Sequence, residues 1–388
     1  MVTMLHPSRR SAVAPFLAMD VMSAAASRER DGARIIHMEV GEPGAPAPLS
    51  VRAVAARAIE QGRIGYTEAL GMPALRARIA RHYGEWYRQT IDPERVIVTT
   101  GSSGGFILAF LALFDAGARV AIAAPGYPAY RNILQALGIE VVSLPTSRAS
   151  RYVVDAAAIR RAHAECRIDG VLLMSPANPS GTMMSPEDLA SVALTCDELG
   201  IRFISDEIYH GLTYEEPAET ALKFSADAVV VNSFSKYFCM TGWRIGWLIV
   251  PDLLVRTMER LQQNLSISVP TLSQIAALAA FDAQAELNDI RQGYAASRAI
   301  LLGGLPEMGF ADIHPVDGAF YVYADIGRFT NDSVEFCRRM LNEAGVAATP
   351  GVDFDPDRGH RTLRLSFAGQ TAEIAEAVQR IGAWLPPS

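Results

Sequence analysis

The sequence predicts an α/β fold: a mostly parallel sheet with helices on both faces, plus a smaller α+β domain. Three observations carry that prediction. Runs rich in valine and isoleucine recur as RVIVTTG, RVAIAAPG, GVLLMSPAN, RFISDEIY, AVVVNSFSK and RIGWLIVP, apolar throughout rather than alternating. Helix-length segments such as GGFILAFLALF and SPEDLASVALTCDELG separate most of them. Near residue 285 the pattern changes to a long polar helix, the strand GAFYVYADI, a helix around SVEFCRRMLNEAG, the strand TLRLSFAG and a closing helix. Continuous apolar strands are covered on both faces, which follows when helices cross over between parallel strands. The expected division is a large domain over 50–285 and a small one built from 1–49 and 286–388.

At the N-terminus, PSRRSAVAPFLAMDVMSAAAS carries paired Arg9 and Arg10, an apolar stretch and small residues, loosely the pattern of a twin-arginine export signal. Asp20 interrupts the apolar run. The same residues fit an amphipathic helix with Val13, Phe16, Leu17, Val21 and Met22 on one face. No run approaches the roughly 20 apolar residues of a membrane helix. Cys166, Cys196, Cys239 and Cys337 have neither metal-ligand nor disulfide-framework spacing, so no metal is expected and a reducing cytoplasm is. A formal net charge of −7 without a long basic block argues against a nucleic-acid partner.

Sites on a parallel sheet gather at the carboxyl ends of its strands. After RVIVTT comes Gly101-Ser102-Ser103-Gly104-Gly105 at a helix start, where exposed N–H groups and hydroxyls suit a phosphate. A tight turn needs glycine equally. The dinucleotide-binding alternative wants G-x-G-x-x-G, which Gly101 to Phe106 does not supply. In APGYPAY, Tyr127 is held by flanking Pro125, Gly126 and Pro128, either to stack on a planar ring or to pack its own turn. Asn178 opens NPSGT as a side-chain donor or an Asx-turn residue. RFIS delivers Asp206 and Glu207, with Tyr209 beyond; a carboxylate at an apolar strand end needs a partner or caps a helix. Lys236 follows AVVVNSF in SFSKYFCMTGWR, where a long cation is either snorkelling or covalently employed. Phosphate cradle, stacking ring, amide, buried acid with a phenol, and lysine with a trailing arginine together match pyridoxal 5'-phosphate.

At this point the chain resembles the class I/II pyridoxal-phosphate aminotransferases of the aspartate aminotransferase type, whose fold is known as type I. The resemblance rests on VGEP at Val40, YTEALGMPALR from Tyr66, NPSGT at Asn178, SDEIYHG at Ser205, SFSKYFCMTGWRIG at Ser233 and LRLSFA from Leu363, in that order. It implies that Lys236 captures the cofactor aldehyde and then moves the substrate's Cα proton, with Asp206 on the pyridine nitrogen and Tyr209 and Asn178 on the phenolic oxygen. The glycine-rich loop at Gly101, with Ser102, Ser103, Ser233, Ser235 and Arg244, would hold the phosphate. Tyr127 would stack on the ring, and Arg364 would clamp the α-carboxylate beside Gly41. Family members are homodimers with sites at the interface, so Tyr66 is expected to reach the partner's phosphate.

The implied reaction is transamination between an amino acid and a 2-oxo acid. A β-eliminating lyase on the same fold is the alternative, and a cofactor-binding sensor without catalysis a more remote one. One departure bears on substrate. Dicarboxylate-specific members resemble one another in a second arginine contributed across the dimer, where this chain aligns Asn264 in NLSISVP. Phe16 and GAFYVY would then line a pocket for an apolar or aromatic side chain, unless Arg9 or Arg10 supplies the charge.

Overall fold

The computed structural model describes residues 6–62 and 64–386. Its strands are β1 (Ile36–His37), β2 (Val96–Thr99), β3 (Arg119–Ala124), β4 (Glu140–Pro145), β5 (Gly170–Met174), β6 (Arg202–Asp206), β7 (Val229–Ser233), β8 (Gly246–Ile249), β9 (Tyr321–Asp325), β10 (Val346–Ala347), β11 (Thr349–Pro350) and β12 (Thr362–Ser366). The longer helices are α1 (Leu17–Arg30), α2 (Leu49–Glu60), α3 (Pro73–Tyr87), α4 (Gly101–Leu113), α5 (Pro128–Ala136), α6 (Ala156–Glu165), α7 (Pro186–Leu199), α8 (Asp252–Leu265), α9 (Thr271–Ala280), α10 (Gln284–Glu307), α11 (Ser333–Arg339) and α12 (Thr371–Trp384).

Seven strands form one sheet in the order β2-β8-β7-β6-β5-β3-β4. All neighbours are parallel except β8, which runs antiparallel to both β2 and β7. Alternate residues of each strand enter opposite cores: Val171 and Leu173 pack into one cluster while Leu172 enters the other, and Val230 and Val231 divide the same way. A strand buried on both faces has no polar side to show, which is why these runs are apolar throughout. A separate three-stranded sheet, β11-β12-β9, is antiparallel, and β1 pairs with β10.

Local signals explain the helix ends. Ser185 caps α7 by accepting from the Asp188 N–H at 3.1 Å, and Gly200 closes it in the left-handed region at φ 65°.

Two differences from the sequence expectation have physical causes. The N-terminal helix begins at Leu17, so Val13 lies outside it and exposed; Pro15 disfavours helical backbone at Ala14. Its buried residues are Ala18 and Ala25 rather than the larger apolar set. Strand β4 shows no apolar run because it is the sheet edge, with Glu140, Ser143 and Pro145 exposed. Helix α2 starts at Leu49 and α10 at Gln284, each within a residue of an expected domain bound. No helix among the described residues is long and apolar enough to cross a membrane.

Candidate active site

A cavity of about 550 Å³ opens over the carboxyl ends of the parallel strands, between the two larger sheets. Its floor at one end is the start of α4. Gly101 sits there at φ 70°, and a Cβ would lie 2.4 Å from Arg244 Nη2, so glycine is required by both backbone and space. Ser102 and Ser103 line the cavity, as does Arg244. Arg244 arrives from the opposite chain direction. Because β8 is antiparallel to β2, with Thr99 opposite Gly246, the residues preceding β8 lie beside those following β2.

Tyr127 is the N-cap of α5 and lines the cavity. Its ring meets Phe16 edge-on at 5.8 Å and Tyr130 edge-on at 5.3 Å. Burial pushes its phenol up to about 12. Asp206, at the end of β6, is 1% exposed. Its Oδ1 accepts from the Ile208 N–H at 3.0 Å and its Oδ2 from the Tyr130 hydroxyl. Burial raises its carboxyl to about 7, against the lowering pull of Tyr130, the Ile208 N–H and the charge of Lys236. Glu207 does not share the cavity. It faces a core and accepts from Ser205, Thr220 and the Ala221 N–H, so the two acids have separate roles.

The Lys236 ammonium donates to the Gly41 carbonyl at 2.5 Å. Desolvation, then the charge of Arg364, depresses its pKa to about 8; Glu42 pulls it the other way. The Tyr209 and Tyr321 hydroxyls lie 2.7 Å apart. Arg364, in the middle of β12, is 2% exposed and lies between the rings of Tyr321 and Phe354, 4.4 and 4.8 Å from their centroids. It donates to Asn178 Oδ1 at 2.9 Å, to Thr349 Oγ1 at 3.2 Å and to the Glu39 carbonyl. Its Nε is buried with no partner.

The structure brings Gly41, Ser102, Ser103, Tyr127, Asn178, Asp206, Tyr209, Ser235, Lys236, Arg244 and Arg364 together around one cavity. Two expected residues stand apart. Ser233 is buried and is not among the residues lining the cavity; its hydroxyl donates to the Ile245 carbonyl at 3.0 Å, and its Oγ lies 2.9 Å from Ser235 Oγ. Tyr66 is 83% exposed and outside the cavity of its own chain. Asn264 is exposed and donates to the Arg260 carbonyl within α8, and Arg9 and Arg10 are exposed on a short helical turn. Sequence reasoning missed Tyr130, although its signal was present: three residues beyond Tyr127 in YPAY is one helical turn.

Residues 33–381 match the family model for aminotransferase class I and II. The chain belongs to this family. It is 50% identical over 381 residues to a valine–pyruvate aminotransferase of Mycobacterium tuberculosis, covering 97% of this chain and 98% of the relative. It is 32% identical to an aspartate/prephenate aminotransferase of Thermus thermophilus, over 96% of this chain and 97% of that one. The crystal structure of an aminotransferase from M. tuberculosis superposes with a TM-score of 0.96 at 50% identity, covering 99% of this chain and 100% of that one. The aspartate aminotransferase of T. thermophilus with maleate superposes with a TM-score of 0.92 at 30% identity, covering 98% and 100%. This aminotransferase therefore transfers an amino group between an amino acid and a 2-oxo acid, with pyridoxal 5'-phosphate as cofactor and the type I fold.

The residues present fit that cofactor. Serine hydroxyls, Arg244 and the opening N–H groups of α4 form an anion site at one end. A desolvated carboxylate, Asp206, touches no cation and calls for a protonated ring nitrogen. The half-buried amine of Lys236 lies on the same cavity wall.

Proposed function

We propose that this aminotransferase takes a neutral, apolar amino acid as its donor. The carrying observation is the apolar part of the cavity lining formed by Phe16, Ala18, Met19 and Val40. Among the described residues the arginines lining the cavity are Arg244 and Arg364, one at the start of α4 and the other bonded to Asn178. A donor side chain there gains about 0.8 kcal/mol per buried methylene, whereas a second carboxylate would be desolvated without a partner. The name of the M. tuberculosis relative, valine–pyruvate aminotransferase, supports the same class.

In this reading Ser102, Ser103, Ser235 and Arg244 would hold the phosphate, with Gly101 leaving room for the Arg244 guanidinium. Asp206 would hold the proton on the ring nitrogen, Tyr209 and Asn178 would bind the phenolic oxygen, and Tyr127 would stack on the ring. When bound, the cofactor supplies an electron sink for the charge left as Cα loses its proton. Lys236 Nζ would carry that proton as general base; desolvation and the charge of Arg364, which depress its pKa to about 8, favour the neutral amine that role needs. Arg364 orients the α-carboxylate with two parallel donors beside Gly41. Its packing between Tyr321 and Phe354 fixes the guanidinium before substrate arrives.

We also infer a homodimer. Tyr66 projects from a loop tied to the α8–α9 region by Thr271 donating to the Gly65 carbonyl and Gln262 to the Ala69 carbonyl, where Leu265 and Ile267 are exposed as well. That arrangement suits a ring offered to a second copy. The large and small domains are taken as 50–285 and 1–49 with 286–388, and the four unpaired cysteines favour a reducing cytoplasm.

A side-by-side assay with alanine, valine, leucine, phenylalanine, glutamate and aspartate as donors tests the reading. Higher kcat/KM for valine or leucine than for aspartate is expected. A preference for aspartate would overturn it.

A further inference from the structure

The first turn of α1 supplies Ala18 and Met19 to the cavity wall, and Phe16 stands at its N-cap. A phenylalanine side chain accepts no hydrogen bond, so α1 has no cap of its own for the N–H groups that open it. They are satisfied from the far end of the chain. The Leu17 N–H donates to Asp353 Oδ1 at 3.1 Å and the Ala18 N–H to Asp353 Oδ2 at 3.2 Å. Both carboxylate oxygens are engaged at the positive end of a helix, where a negative charge is favoured.

Asp353 is itself fixed. It is 3% exposed, ends the tight turn Gly351–Asp353, and its carbonyl accepts from Arg131 of α5 at 3.3 Å. A Cβ at Gly351 would lie 1.9 Å from Thr362 Oγ1, so that turn is pressed against β12, the strand that carries Arg364. A further polar link to the segment, Asn132 donating to the Ala14 carbonyl at 3.2 Å, is exposed. Further along, α1 is held by apolar packing of Val21 and Ala25 against Ile35, Leu341 and Ala347, and by Arg28 donating to Asn342 Oδ1 at 2.8 Å. The first turn is therefore held separately from the body of the helix.

We propose that Asp353 is a specificity-determining positioning residue: by capping α1 across the chain it holds Phe16, Ala18 and Met19 where they form the donor's side-chain pocket. This deepens the donor reading above and rests on it. The edge-on contact of Phe16 with Tyr127 shows how short the path is from the cap to the ring expected to cover the cofactor. The Asp353 carboxylate bonds to the Leu17 and Ala18 N–H groups and not to Arg364, Lys236 or Asp206 among the described residues, so losing the cap should loosen recognition of the side chain more than of the amino and carboxylate groups.

The test uses holoenzyme of full length in three forms: wild type, Asp353→Ala and Asp353→Asn. Asp353→Ala should raise KM for valine about tenfold, the scale of losing a helix cap, and KM for alanine no more than about twofold, with kcat little changed. Amide hydrogen exchange should accelerate at Leu17 and Ala18 while Val21 to Ala25 stay protected. Asp353→Asn, which keeps one acceptor oxygen, should fall between and carries the test if the alanine variant does not fold. Phe16→Ala should lower the valine-to-alanine ratio with the Leu17 and Ala18 amides still protected. Unchanged exchange in Asp353→Ala, or an equal rise in KM for alanine and valine, would overturn the proposal. If wild type prefers aspartate, the donor reading fails, and exchange at Leu17 and Ala18 still decides whether Asp353 holds the segment.

Discussion

The Tyr130 hydroxyl donates to Oδ2 of Asp206 from one helical turn beyond Tyr127. The bond opposes the burial that would neutralise Asp206. Tyr130 does not line the cavity, so its effect passes through the carboxylate and through the edge-on packing against Tyr127.

Tyr130→Phe should therefore raise the pKa of Asp206, since burial then acts against fewer opposing bonds. The acid limb of the kcat/KM profile should move to higher pH. A hydrogen bond to a charged group contributes about 1.5–3 kcal/mol, so a loss of roughly tenfold or more is expected at pH 6, shrinking as pH rises. An unshifted acid limb would leave Tyr130 with a packing role only.

Lys236 gives a pH dependence of opposite origin. Its amine is depressed to about 8, so it is protonated below that value and free above it. The rate at which apo-protein attaches the cofactor, followed by absorbance, should climb with pH and level off beyond about 8. Lys236→Ala should fold, lose the borohydride-fixed label from this position and lose activity by at least 10²–10⁴-fold, the usual share of positioned acid–base catalysis. Peptide mapping that finds the label on another lysine would refute the assignment.

Arg364→Ala should raise KM for every donor alike by roughly tenfold or more, because all share the α-carboxylate that a paired donor recognises. Arg364→Lys should recover little, a point charge being unable to replace the fork held between Tyr321 and Phe354. Cofactor affinity should change far less than KM. A donor-selective effect would place the guanidinium elsewhere on the substrate.

Glu207, outside the cavity, should show in stability instead. Burial raises its carboxyl to about 8 from an ordinary value of 4.5, so between those values the folded chain holds a proton that the unfolded chain has lost. Folding then becomes less favourable as pH rises from about 4.5 through 8. Glu207→Gln removes that dependence, so its denaturation midpoint should gain on wild type from pH 5 to pH 8. Parallel profiles for the two proteins would show that Glu207 is ionised in the fold.

Most of the large sheet and much of the site were legible in the sequence, because strands buried on both faces are apolar end to end and the chemistry follows them. Asp206 and Lys236 were marked by standing at the ends of such runs, whereas Arg364 was reached only through the family resemblance of LRLSFA. What stayed hidden depended on partners distant along the chain. Ser233, expected at the phosphate, lies outside the cavity lining with its hydroxyl bonded to the Ile245 carbonyl, a partner no local pattern reveals. Asp353 lies in a loop with other acids and becomes a cap only when α1 arrives. Strand β4 was invisible because half of its residues face solvent.

The reversed strand β8 has a further consequence. Because β7 runs into the cavity edge and β8 runs away from it, the stretch from Phe234 to Ile245 leaves and returns at the same rim, with Lys236 near one foot and Arg244 near the other. It behaves as an arch between two piers, and its length sets the separation of the amine from the anion site. Adding or removing a residue between Tyr237 and Trp243 would shift one foot against the other and misplace both functions together. Turns at the opposite rim of the sheet, such as Gly200 between α7 and β6, span no such pair and leave the site's dimensions untouched when their length changes.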